Sequence, residues 1–145
     1  MVDDMDSENV AYFGEWMMAS NSPTTRFGYY LGTRWAKKGA GDARAVFVPN
    51  VPRTDSYVVY AHFGPDPSHD HASKAPVIVR YANGEKTVRV DLRSTAGVSG
   101  TQFPKHPWVQ LGTFRFAAGR KGSITCSNKA DGNVLADAVK LVISR

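Results

Sequence analysis

The residues best placed to do chemistry fall into a histidine cluster and an aromatic cluster. His69-Asp70-His71 follows Asp66, with His62 on the preceding strand, and imidazole with carboxylate is a donor set that divalent ions accept. Alternate residues of an extended segment project to one side, which would let His69 and His71 face a common ion. A zinc site needs three or four ligands, however, and here one loop supplies them. Surface histidines are the expectation for His69, Asp70 and His71, with no metal and no cofactor. The second cluster suits sugars. A pyranose lays its apolar face on a ring while flanking polar groups bind its hydroxyls, so a site needs both kinds of residue. Tyr29, Tyr30, Arg34 and Trp35 provide that mixture locally, and His62 and Arg80 add polar positions on strand faces opposite the core. Tyr29, Tyr30, Arg34, His62 and Arg80 are therefore the candidate ligand-binding residues.

Catalytic arrangements are poorly represented. A triad requires a nucleophile, a base and an orienting carboxylate within hydrogen-bond reach, and no GxSxG, HExxH or Cys-His signature occurs. His62, His69, His71 and His106 offer bases without an evident nucleophile, so no catalytic residue is assigned and an enzyme is not expected. Asp131 precedes Gly132 and is suited to bonding a turn backbone. Asp137 alternates in phase with Leu135, Val139 and Leu141; this phase predicts a buried carboxylate that must be hydrogen-bonded. Cys126 is the single cysteine, so no disulfide forms within the chain, and its strand-like surroundings predict a buried, inert thiol.

The elements that would position these residues are strands. Short alternating runs rich in Val, Tyr, Phe and Thr recur between Gly, Pro, Asn and Ser clusters, while helical periodicity is nearly absent. Strands are predicted at 14–20, 34–38, 43–48, 56–63, 77–82, 85–93, 108–117, 122–128 and 134–144. In the clearest of them Val88, Val90 and Leu92 point one way, and Thr87, Arg89, Asp91 and Arg93 the other. Asn83-Gly84 before it supplies the two positive-φ residues of a type I′ hairpin turn. Trp16, Tyr57, Phe63, Trp108, Phe114 and Phe116 recur at strand spacing and are expected in the core. Residues 64–76 and 94–107 exceed hairpin length, and 20–33 is a third long connection. In a sandwich such loops gather at the ends and are often functional.

The 145 residues suit one domain able to bury a core without staples. Residues 1–10 read as an acidic N-terminal extension and 11–145 as a single β-sandwich domain. From Arg26 onward 18 basic residues face 8 acidic ones. This field can attract an acidic polysaccharide, a nucleic acid or an anionic surface. The basic residues are scattered singly with no RNA-type aromatic motif, so specific nucleic-acid binding is not expected. No apolar run approaches the roughly 20 residues that span a bilayer. MVDDMDSENV lacks the features of a secretory signal, so an intracellular protein or a trimmed domain is expected.

GEWMMAS, FGYYLGTRW, SYVVYAHF, KAPVIVRY with TVRVDL after a turn, WVQLGTFRFAAG, GSITCSN and ADGNVLADAVKLV occur in this order. Together they resemble the golvesin-type, xanthan-lyase C-terminal-like domain over about residues 8–143. WVQLGTFRFAAG followed by ADGNVLADAVKLV is the most specific part. The resemblance implies a jelly-roll-like antiparallel β-sandwich related to galactose-binding-type domains, attached to secreted bacterial proteins that act on polysaccharides. It also implies a secreted or cell-surface location and an accessory, carbohydrate-binding role, with a polysaccharide or cell-surface glycan as partner. SHDHASKAP and the long STAGVSGTQFPKHP depart from the family pattern, so ligand choice can differ if it lives in loops. The competing reading is a structural or assembly domain with another protein as partner; it would show a contiguous apolar patch. A third is a small hydrolase with an unrecognised site.

Overall fold

A computed structural model describes residues 2–3, 9–18, 34–63, 71–92 and 108–144. Among them twelve β-strands form antiparallel pairs in three sheets. The first sheet orders β1 (Val2–Asp3), β12 (Ala138–Ile143), β6 (Asp55–His62) and β9 (Val109–Phe116). The second orders β2 (Val10–Phe13), β5 (Arg44–Phe47), β10 (Ser123–Ser127), β7 (Ala75–Tyr81) and β8 (Gly84–Val90). A small third sheet joins β11 (Val134–Ala136), β4 (Arg34–Ala36) and β3 (Met17–Met18). The protein is an all-β antiparallel sandwich.

Period-two alternation fills the space between the two larger sheets. Tyr57, Val59 and Ala61 of β6, Leu111, Phe114 and Phe116 of β9 and Val139 of β12 meet Phe47, Val77, Val79, Ile124 and Cys126 of the second sheet in one buried cluster. The Tyr81 and Phe114 rings lie 5.0 Å apart across it. Burial of a large side chain of this kind contributes roughly 1.5–3 kcal/mol, which is ample reason for the alternation to fix the register. Along β8 the expected phase holds: Val88 is half-buried, Val90 and Leu92 are buried, and Thr87 and Arg89 are exposed. Cys126 is buried, and loss of hydration pushes its thiol up to about 12, so at neutral pH it is the protonated, unreactive form.

Four details differ from the sequence expectation. The β7–β8 hairpin forms, but Tyr81 pairs with Gly84; Ala82-Asn83 make the turn, and Gly84 opens β8 with φ 139°. The strand expected at 14–20 gives way to Met17–Met18 among the described residues, because Gly14 turns the chain at φ 82°. Residues 1–10, read as an extension, contribute Val2–Asp3 to an edge of the first sheet, and Val10 is buried in the core. The run 134–144 is two strands: β11 pairs with β4 and β12 with β6, so the chain changes sheet at Asp137.

The last of these differences positions the site. Changing sheets at Asp137 places it next to Ala138, whose register partner is His62 at the end of β6. One residue back, Ala61 pairs with Val109 at the start of β9, and Ala136 pairs with Arg34 at the start of β4. The described anchors of the three long connections, Met18 and Arg34, Phe63, and Trp108, are thus tied to a single end of the sandwich around Asp137.

Candidate functional site

At that end the Nδ1 of His62 is hydrogen-bonded to Oδ2 of Asp137, both side chains being 0% exposed. Alternation sets His62 on the outward side of β6, but Trp108 lies against it with ring centroids 5.2 Å apart. The outward face is therefore covered at this point, and His62 is a structural residue. This corrects the expectation that His62 is a polar group lining an open ligand site.

Next to the dyad the face opens. Lys140 of β12 pairs in register with Tyr60 of β6, and its ammonium lies 4.4 Å from the Trp108 ring centroid and 5.4 Å from that of Tyr60. All three side chains are half-buried. A cation over ring faces is held by the negative face of each quadrupole while part of its hydration shell remains. On the adjacent strand Gln110 is exposed and pairs with Tyr60. A bulge at Val59/Tyr60 allows Leu111 and Gly112, the latter at φ 141°, both to turn inward, so that Gln110 and Thr113 remain outward. Lys140 also lines a cleft of about 220 Å³ together with Asn9, Asn50, Val51, Pro52 and Leu141. The Tyr60 and Trp108 rings, the Lys140 cation and the Gln110 amide are thereby gathered on the outward face of the first sheet, while the cleft runs along its edge beside the inward Val139 and Leu141.

The sequence-predicted residues do not assemble into one pocket among the described residues. Tyr29, Tyr30, His69 and Asp70 lie outside the described residues. Arg34 is half-buried, with its guanidinium 4.4 Å over the Tyr12 ring, which itself meets Trp16 edge-on at 5.7 Å. Arg80 is on the second sheet, 67% exposed, and paired with Glu85 at 3.1 Å across the hairpin. Arg34, His62 and Arg80 thus sit on three different sheets. His71 forms a bridge with Asn133, and no group of three or more His, Cys, Asp or Glu able to hold a metal occurs among the described residues. Tyr60 and Lys140 were not signalled by the sequence, and Trp108 was expected in the core. Tyr60 does stand out of phase with Tyr57, Val59 and Ala61, and that phase was the available clue.

The root of the 64–76 connection is fixed from the 129–133 turn. Asp131 Oδ1 accepts from the backbone of Ser73 at 2.9 Å and of Lys74 at 3.3 Å, and Oδ2 accepts from the Ser73 hydroxyl. Ala72 donates to the Asn133 carbonyl at 2.8 Å, and Leu92 to the Ala72 carbonyl at 2.9 Å. Gly132 is required here, since a Cβ would lie 2.8 Å from the Ala72 nitrogen. The Ser73 hydroxyl foremost holds the Asp131 carboxyl below its ordinary value, with the backbone donors adding to it and burial opposing it. A carboxyl depressed in the folded state contributes stability above its unfolded pKa and loses it as pH falls through the folded value. Thermal melts on acidification from about pH 5 to pH 2 are expected to show a smaller loss for Asp131→Asn than for the native chain. Parallel curves would exclude Asp131 as a source of acid sensitivity.

Comparison with known proteins matches the family model described as "Golvesin C-terminal domain" over residues 1–143. A xanthan lyase from Bacillus sp. (strain GL1) is 39% identical over 148 residues, covering 98% of this chain and 14% of that enzyme. The solved structure of Paenibacillus xanthan lyase superposes with a TM-score of 0.80 at 30% identity, covering 99% of this chain and 13% of that one. The chain thus spans about a seventh of the length of these relatives.

Proposed function

The chain belongs to the Golvesin C-terminal domain family, and from that membership we propose that it is a non-catalytic, carbohydrate-binding accessory module of a secreted or surface protein that acts on polysaccharide. The observation that carries the reading is the row Tyr60, Lys140 and Trp108, in which half-buried rings and a cation share one surface beside the loop anchors. A sugar face can stack on such rings while Gln110, in register with Tyr60, offers its amide to the hydroxyls. Non-catalytic is favoured because the His62-Asp137 pair is shut away from solvent, whereas a general base must reach the proton it abstracts. The large exposed apolar side chains, Phe13 and Val142 at 45% and 47%, stand on different sheets and form no contiguous patch among the described residues, so the assembly reading is less well supported.

A glycan array carrying neutral and acidic bacterial polysaccharides tests the proposal. Binding is expected, and Tyr60→Ala should weaken it by about fivefold to tenfold, the worth of one ring contact. Tyr60 is half-buried on the outward face, so this variant is expected to melt close to the native chain. Silence across the array, or binding indifferent to Tyr60, would overturn the proposal and leave an assembly role as the better account.

A further inference from the structure

Resting on the glycan-binding reading, we infer that the Tyr60-Lys140-Trp108 surface selects carboxylate-bearing saccharides, with the Lys140 ammonium taking the carboxylate while the rings take the sugar face. The first support is how Lys140 is held. Its ammonium lies over two rings, and among the described residues no carboxylate is paired with it. Ring faces occupy none of its three N–H donors with a charged acceptor, so the cation is oriented by its packing and open to an anion. Held in this way, it gives up less side-chain freedom when it binds than a free surface lysine does.

The second support is the charge of the face. Alternation along β6, β9 and β12 turns Tyr60, Gln110, Thr113, Arg115 and Lys140 outward, and the outward positions of these three strands include no acidic residue. The acidic residues of the same sheet are Asp3 of β1, in register opposite Ala138, and Asp55 at the start of β6, which is in phase with the inward Tyr57 and paired with Arg53 at 3.1 Å. Arg115 is exposed toward the far end of β9, so an extended anionic chain lying along the strand meets a cation near each end of the sheet. The opposite sheet differs, since there Arg80 is paired with Glu85 at 3.1 Å.

The test compares polygalacturonate, alginate and hyaluronan with their carboxyl-reduced, neutral forms, measured by affinity electrophoresis and calorimetry on the whole chain. The uronate forms are expected to bind about tenfold tighter than the reduced forms, the scale of one charge-assisted hydrogen bond. Lys140→Gln should collapse that ratio and Lys140→Arg should restore it. Lys86→Gln, which removes the same charge from exposed β8, should leave it intact, so a loss there would mean unspecific attraction and overturn the inference. Tyr60→Ala should weaken the reduced forms, and the uronate forms at least as much, since it removes a stacking ring and one of the two rings that hold Lys140. Equal binding of both forms by the native chain overturns the inference and leaves the glycan-binding reading standing. Binding to neither form of any probe, nor to the neutral polysaccharides of the array, overturns both.

Discussion

Asp137→Ala is expected to lower the melting temperature by about 10 °C or more, the shift that a loss of roughly 3–5 kcal/mol produces in a chain of this size. Asp137 and His62 are both fully enclosed and hydrogen-bonded to one another, and removing one partner of such a pair leaves the other a buried polar group stripped of that hydrogen bond. The position doubles the consequence, because Asp137 is also where the chain leaves the small sheet and enters the first one. Asp137→Asn keeps an acceptor for the imidazole N–H and should cost clearly less. A double-mutant cycle with His62→Ala separates the pair from general loss of packing: the double variant should melt well above the sum of the two single losses. An additive result, or a melting temperature within a degree or two of native for Asp137→Ala, would show that the dyad does not hold this end of the sandwich. Trp108 rests on His62, so binding at the neighbouring surface is expected to weaken in the same variants.

Why the dyad could be half anticipated, and the surface row could not, follows from the distances along the chain that each requires. Asp137 is buried as expected, but not through alternation: the chain changes sheet there and residues 134–139 are all buried, whichever way each side chain faces. The turn role of Asp131 and the alternation of β8 were legible from local sequence. His62 was read as outward on its strand and as open, whereas it is fully buried, with Trp108 brought alongside it by the β6–β9 register. The meeting of Lys140 with Tyr60 likewise depends on which residues of β12 and β6 pair, and a lysine in a strand carries no local mark of a distant ring. β2 was missed because Val10–Phe13 is short and follows an acidic stretch. Its place beside β5 comes from the Phe47–Val10 register and from burial of Val10, a tertiary effect.

Asn128→Ala is the second large expected loss, on the order of 2–4 kcal/mol, because one buried amide serves several backbone groups at once. Its Oδ1 accepts from the Gly41 and Ala43 nitrogens at 3.0 and 3.2 Å, and its Nδ2 donates to the Lys37 carbonyl at 3.0 Å and to Asp42 Oδ1 at 3.2 Å. Gly39 sits so close that an added Cβ would come within 2.6 Å of that Nδ2, so little room exists for another side chain to take over. Truncation strands donors and acceptors of the whole 37–43 segment, which leads into β5. Asn128→Asp makes a sharper test. The carboxylate still accepts from Gly41 and Ala43, but it no longer donates to Asp42, whose carboxyl the Asn128 amide foremost holds below its ordinary value. In the native chain that depressed carboxyl contributes stability above its unfolded pKa and loses it as pH falls through the folded value. In Asn128→Asp two carboxylates face each other and the sign reverses: sharing a proton restores an O–H donor between them, so stability is gained on acidification and lost as pH rises. Melting temperatures from about pH 3 to pH 7 should therefore bring Asn128→Asp toward the native curve at the acidic end, while Asn128→Ala stays well below it throughout. If Asn128→Asp instead runs parallel to the native curve, Asn128 and Asp42 are not coupled, and the amide acts through the backbone of the 37–43 segment alone.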